Sequence, residues 1–215
     1  MCRRKVTTDV RRAIFLDRDG VINENRPDHV KSLEEFAILP GVLDALRLLR
    51  TAGLPIIVVS NQSAINRGLV SWDTVHAVTR LLRERVTSAG GRLDAVFYCP
   101  HLPEEECACR KPRPGLLLQA ANELGIELTG SYFVGDALSD VHAALAVGAQ
   151  PLVVLTGRGR DQATLLEKIV AAPVPVCNDI LEAARWILGR EASRSATAHS
   201  CTAQPSRRIA PDGKR

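Results

Sequence analysis

Two carboxylates two residues apart, Asp17 and Asp19, close the apolar run Ala13-Ile14-Phe15-Leu16, and Gly20 follows at once. Such a run ending on an acid reads as a buried parallel strand that delivers the acid to the C-terminal edge of its sheet. Two anions side by side are costly unless a cation or a shared proton relieves them, so the pair asks for a metal ion. Acids at a strand end also serve as turn residues or helix N-caps, and the other strand ends decide between the readings. The β-branched run Pro55–Val59 stops at Ser60-Asn61-Gln62-Ser63, Ala95–Tyr98 stops at Cys99, and Tyr132–Val134 stops at Gly135-Asp136. Asp17, Ser60 and Asp136 are the polar groups that a phosphate and a divalent cation need.

The segments between these ends must position them. Pro40-Gly41 opens a helix with the apolar stripe Val42, Leu43, Leu46 and Leu49, stopped at Gly53. Ser71 caps a second helix bearing Val75, Val78, Leu82 and Val86, ended by Gly90-Gly91. A third runs from about Gly115 to Glu123, and Ser139 caps a short one of small residues through Ala146. Leu152–Leu155 is a fifth strand, and Leu165–Val170 and Ile180–Leu188 are two last helices. The segment Pro100–Pro114 is irregular. This alternation predicts an α/β fold, a doubly wound and mostly parallel sheet with its site at the carboxyl ends of the strands.

The 215 residues fit one domain, and 46% hydrophobic and 24% charged residues suit a soluble globular chain. No apolar run is long enough to span a bilayer, and no signal-peptide core follows Met1-Cys2-Arg3-Arg4-Lys5. A cytoplasmic, monomeric protein with no membrane partner is expected. The net charge of +4 sits at the ends: residues 1–12 carry +4 and 191–215 carry +3, leaving the body, 13–190, at −3. A mildly acidic body is a poor nucleic-acid groove, so no nucleic-acid partner is expected. Residues 1–12 read as a basic extension, and 191–215, rich in Ser, Thr, Ala, Pro and Arg, as a disordered tail. Of six cysteines, Cys99, Cys107 and Cys109 cluster, which in a cytosolic protein points to a metal before a disulfide.

Taken together, Asp17-Arg18-Asp19-Gly20-Val21-Ile22-Asn23, Ser60-Asn61-Gln62, Lys111 and Gly135-Asp136 through Asp140 resemble the motif set of the haloacid dehalogenase-like phosphatases. With Cys99-Pro100-His101 and Cys107-Ala108-Cys109-Arg110-Lys111-Pro112 between them, the chain is similar to the D-glycero-D-manno-heptose-1,7-bisphosphate 7-phosphatases and the related histidinol-phosphate phosphatases. The resemblance runs from about Ala13 to Thr156. It implies that Asp17 is a nucleophile forming an aspartyl-phosphate, and that Asp17, Asp136 and the backbone carbonyl of Asp19 hold Mg²⁺. It further implies that Asp19 is the general acid and base, that Ser60 and Lys111 grip the phosphoryl oxygens, and that Asp140 orients the site. A carboxylate attacking a phosphate dianion needs such cations to offset the repulsion.

Cys99, His101, Cys107 and Cys109 form C-x-H-x₅-C-x-C, and three thiolates with one imidazole make a closed tetrahedral Zn²⁺ site. A closed set leaves no position for substrate, so the expected role is structural; a disulfide is the oxidised alternative. The gaps from Gly20 to Pro40 and from Gln62 to Trp72 are too short for an inserted cap domain. Selection among substrates then falls to three loops. There Asn25, Asp28, Asn61, Gln62, Ser63 and Arg110 match positions that the resemblance assigns to a phosphorylated sugar and its second phosphate. Ala137 departs from the family pattern, in which a lysine often follows Gly-Asp. His29, His76, His142 and His199 belong to no motif. The readings that compete with a heptose-bisphosphate phosphatase are a histidinol-phosphate phosphatase and a catalytically inactive zinc-loop binding module.

Overall fold

The structure, a computed structural model, describes residues 11–169 and 173–200. The expected extension up to residue 10, Val170, and the tail from residue 201 lie outside the described residues. Six strands alternate with six helices: β1 Ile14–Leu16, α1 Val42–Arg50, β2 Ile56–Asn61, α2 Trp72–Ser88, β3 Ala95–Cys99, α3 Gly115–Leu124, β4 Tyr132–Gly135, α4 Leu138–Leu145, β5 Gln150–Val154, α5 Gly159–Ile169, β6 Val176–Cys177 and α6 Ile180–Ser200. The sheet order is β3-β2-β1-β4-β5-β6, and every pairing is parallel. This is the doubly wound order, whose switch point, and hence binding crevice, lies between β1 and β4.

Parallel strands covered on both faces should be apolar through their buried length, and β1, β2 up to Val59 and β4 up to Val134 are. Ile14, Leu16, Ile56, Val58, Tyr132 and Val134 pack on one face with α1, α2 and α6 residues such as Leu46, Leu82 and Ile187. Ala13, Phe15, Ile57, Val59 and Phe133 face the other way, onto Leu116, Leu117 and Ala120 of α3 and Ala143 and Ala144 of α4. Each fully buried Leu, Ile or Val contributes about 1.5–3 kcal/mol, so register is fixed by the core. Leu16 pairs with Val58 on one side and Val134 on the other. That register puts Asp17, Ser60 and Asp136 at the same edge of the sheet. The segments 17–41 and 62–71 hold only turns and isolated bridges.

Several expectations need correction. Ser139 does not cap α4; Asp140 does, its Oδ2 accepting from Ala137 N–H at 3.1 Å. Helix α5 begins at Gly159, and Val176–Cys177 adds a sixth strand. The chain does not become disordered at residue 191: α6 continues to Ser200. Glu191 is clamped there by both guanidinium nitrogens of Arg12, at 2.7 and 2.6 Å, and by the Tyr132 hydroxyl at 2.6 Å. Residues 11 and 12 therefore belong to the folded body.

Candidate active site

Strand β1 ends in Asp17, β4 leads into Asp136, and the first turn of α4 carries Asp140. Their carboxylates all lie within 4.8 Å of one another and all three residues are buried. Lys111 comes from the turn before α3 and is also buried. Its Nζ lies 2.9 Å from Asp17 Oδ1 and 2.7 Å from Asp140 Oδ1, and donates to the Val59 carbonyl at 3.0 Å. Asn61 fixes this lysine: its Nδ2 donates to Lys111 O and its Oδ1 accepts from Lys111 N–H, both at 3.1 Å.

Three acids against one lysine leave the cluster short of positive charge. Burial raises the Asp17 carboxyl to about 7; the Lys111 ammonium opposes this, and Asp140 and Asp136 add to it. Asp136 is likewise raised, first by burial. Its Oδ2 accepts from Arg158 N–H at 2.8 Å, but its buried Oδ1 has no hydrogen-bond partner, the Arg158 guanidinium standing 3.6 Å away. The backbone closes tightly around this carboxylate. A Cβ on Gly20 or Gly157 would lie 2.1 or 2.2 Å from Asp136 Oδ2, and both residues have positive φ, 87° and 57°. Clustered hard oxygens, two of them (Asp136 Oδ1 and Asp140 Oδ1) without a hydrogen bond, in a site with surplus negative charge fit a small divalent cation such as Mg²⁺.

Asp19 is held differently. It accepts from the buried Arg18 guanidinium at 2.9 Å, from Asn23 Nδ2 at 2.8 Å and from Gln62 Nε2 at 2.5 Å. Burial would raise its pKa, yet the Arg18 charge and these donors together lower it. Asp19 thus faces the crevice as a carboxylate.

Beside it opens a cavity of about 490 Å³, a size suited to a phosphorylated sugar. Asn25, Asn61, Gln62, Ser63, Arg110 and Lys111 line it. Ser60 and Asp28 do not, and the buried Asp17, Asp136 and Asp140 are not among its lining residues either. The Ser60 hydroxyl is buried and accepts from Gln62 Nε2 at 3.1 Å. Asp28 is turned outward to its own loop, where it pairs with Arg26 and Lys31. Sequence reasoning missed Arg26, His29, Ser139 and Arg158, all lining residues. The one available signal was the position of Arg158, directly after a strand-end Thr-Gly.

The second cluster stands at the end of β3. Cys109 Sγ lies 3.2 Å from both Cys99 Sγ and His101 Nδ1 and 3.4 Å from Cys107 Sγ; Cys99 Sγ lies 3.5 Å from Cys107 Sγ and from His101 Nδ1. The thiols are free, and these separations exclude a disulfide, whose sulfurs lie about 2 Å apart. They approach the edges of a tetrahedron of ligands about 2.0–2.3 Å from a central zinc, which are roughly 3.3–3.8 Å. Arg110 donates to His101 O at 3.0 Å, so the ligand loop and the cavity wall share a residue.

Comparison with known proteins agrees with this geometry. A family model described as HAD-hydrolase-like matches residues 108–183. The D-glycero-beta-D-manno-heptose-1,7-bisphosphate 7-phosphatase of Pseudomonas putida is 43% identical over 175 residues, covering 81% of this chain and 98% of that protein. The enzyme of the same name from Pseudomonas aeruginosa is 43% identical over 149 residues, covering 69% and 84%. The crystal structure of D,D-heptose 1,7-bisphosphate phosphatase from B. bronchiseptica, complexed with magnesium and phosphate, superposes with a TM-score of 0.77 at 37% identity, covering 83% of this chain and 99% of that one. The likeness to named phosphatases and the complete carboxylate–lysine cluster leave the inactive-module reading without support. The chain belongs to the haloacid dehalogenase-like phosphatases, in the family of the heptose-1,7-bisphosphate 7-phosphatases.

Proposed function

We propose that this protein removes the 7-phosphate of D-glycero-D-manno-heptose 1,7-bisphosphate through an aspartyl-phosphate on Asp17. The observation that carries this reading is Asp17 itself: a buried strand-end carboxylate, 2.9 Å from Lys111, at the switch point of the sheet. The relatives named for that reaction support the substrate.

An oxygen of Asp17 attacks phosphorus, and the bond from phosphorus to the sugar oxygen breaks. Asp19 gives its proton to the departing oxygen. A phosphate dianion entering the cavity adds negative charge beside Asp19 and favours that protonated form. Water then attacks the phosphorus, Asp19 takes its proton, and the Asp17 oxygen leaves as inorganic phosphate is released. Lys111 and Ser60 hold phosphoryl oxygens, Ser60 after Gln62 has turned aside. Asp140 fixes Lys111. Asp17, Asp136 and the Asp19 carbonyl would hold Mg²⁺, which supplies positive charge against the phosphoryl oxygens. Cys99, His101, Cys107 and Cys109 would hold a structural Zn²⁺, to be confirmed by metal analysis at one zinc per chain. Asn25, Asn61, Gln62, Ser63 and Arg110 form the wall for the sugar and its second phosphate.

The test is phosphate release from heptose 1,7-bisphosphate and from histidinol phosphate, with and without Mg²⁺. Wild type should show Mg²⁺-dependent release that prefers the bisphosphate. Asp17→Asn should lower kcat by about 10⁴-fold, since an amide cannot form the acyl-phosphate. Equal rates in Asp17→Asn, or a preference for histidinol phosphate by orders of magnitude, would overturn the proposal.

A further inference from the structure

Arg158 has a backbone that is fixed and a side chain that is not. It follows Thr156 and Gly157 in the turn from β5 into α5. Thr156 Oγ1 donates to Gly20 O at 2.6 Å, a Cβ on Gly157 would lie 2.5 Å from Gly20 Cα, and Arg158 N–H donates to Asp136 Oδ2 at 2.8 Å. The turn is thus clamped onto both the Asp17–Gly20 loop and Asp136. The Arg158 side chain, by contrast, is 56% exposed and lines the cavity. Its Nη2 lies 3.6 Å from Asp136 Oδ1, an ion pair without a hydrogen bond, and Asp136 is fully buried.

Asp140 Oδ1 also lacks a hydrogen bond, but Lys111 Nζ stands 2.7 Å from it, so Asp136 Oδ1, with its counter-charge 3.6 Å away, is the better remaining donor to a cation. A metal on Oδ1 and a guanidinium against the same atom repel each other. The exposed partner is the one free to move, and the cavity is where its anchor leaves it room.

We propose that Arg158 exchanges partners: it neutralises Asp136 while the metal is absent, and turns to the substrate's phosphoryl group once the cation is bound. It is a substrate-binding residue for this chain, and it supplies beside Asp136 the positive charge that Ala137 does not. The inference deepens the phosphatase reading and rests on it for the identity of the anion. Its metal half does not depend on which sugar phosphate is hydrolysed.

Calorimetric titration of Mg²⁺ into full-length wild type, Arg158→Ala and Arg158→Lys, each without and with inorganic phosphate, tests it. Removing the competing guanidinium should tighten phosphate-free Mg²⁺ binding about threefold in Arg158→Ala, as expected of a partly solvated ion pair. Phosphate binding at saturating Mg²⁺ should weaken about tenfold, the scale of a lost charge-assisted hydrogen bond. Arg158→Lys should keep most of the phosphate affinity. In steady state, KM should rise more than kcat falls. Unchanged Mg²⁺ and phosphate affinities in Arg158→Ala would overturn the proposal, as would weaker Mg²⁺ binding without phosphate. Neither result would touch the phosphatase reading, which stands or falls on Asp17→Asn.

Discussion

The two ligand clusters sit at the same edge of the sheet, one at the ends of β1 and β4 and the other at the end of β3, with β2 between them, and they owe their order to opposite causes. Asp17 and Asp136 extend strands whose apolar residues pack completely without them, so the sheet can hold three acids and one lysine in an arrangement they would not choose. In the thiol cluster only Cys99 is fully buried, at the end of β3; Cys107 and Cys109 are partly buried against the same core from an irregular loop. Residues 100–110 form a single 3-10 turn, Pro103–Glu105, with no buried side chain. That loop is tied by Arg110 to His101 O and by Arg113 to the carbonyls of Glu106 and Cys107. One cluster is a product of the fold; the proposed zinc would make the other a condition for it locally.

Metal removal separates the two most strongly. Structural zinc contributes about 10–16 kcal/mol to the folding of small finger peptides, so a loop of this kind should not survive its loss. Stripping zinc, or Cys109→Ser, should open residues 100–114 to trypsin at the Arg110–Lys111 bond. Activity should fall at least about 100-fold as Lys111 loses its approach, with far-UV circular dichroism nearly unchanged. Stripping Mg²⁺ alone should leave trypsin resistance intact. Zinc-free protein that resists trypsin would erase the contrast.

Lys111→Met probes the other cluster. It leaves Asp17 and Asp140 buried without their counter-charge, and breaking a buried pair from one side costs about 3–5 kcal/mol. Urea unfolding of the Mg²⁺-free variant near neutral pH should show a loss of about 3 kcal/mol, shrinking when Mg²⁺ is added. The kcat should fall about 10²–10³-fold with the phosphoryl contact. A stability loss indifferent to Mg²⁺ would mean that lysine and cation do not share one charge deficit.

The strand-end acids were legible because a buried parallel strand is written as a continuous apolar run, and the residue that breaks it is conspicuous. The thiolate set was legible from spacing alone. The cavity wall was not. Arg26 lines it and Asp28 does not, both held by ion pairs within one loop, and His29 joins the wall from a backbone turn at φ 65°. Arg158 reaches Asp136 only through the sheet order, across 22 residues of sequence. Asn61 and Gln62 were named as substrate contacts, yet their amides are already committed to Lys111 and Asp19. Spacing places a residue at an edge; it does not say which neighbour its side chain takes.

The same limit explains the end of α6, where no apolar periodicity announces a helix beyond residue 190. Its anchor, Arg12, is 179 residues away. Arg12 lowers the Glu191 pKa; partial burial opposes this, and the Tyr132 hydroxyl reinforces Arg12. A carboxyl lowered in the folded state contributes stability above its ordinary value, near 4.5, and loses it as pH falls through the lower folded value. Glu191→Gln should therefore cost about 1–2 kcal/mol at pH 7, the scale of hydrogen bonds to a charged group. That gap to wild type should begin to shrink as pH falls below about 4.5 and should close once pH lies under the lowered folded value. Urea unfolding of both proteins at pH 7 and in that acidic range checks the sign, with hydrogen exchange at residues 191–196 as the local readout. A gap that stays constant across the range would place the anchor in the neutral contact with the Tyr132 hydroxyl rather than in charge. The effect is the smallest of the three because this clamp sits at the edge of the sheet, where water competes for every contact.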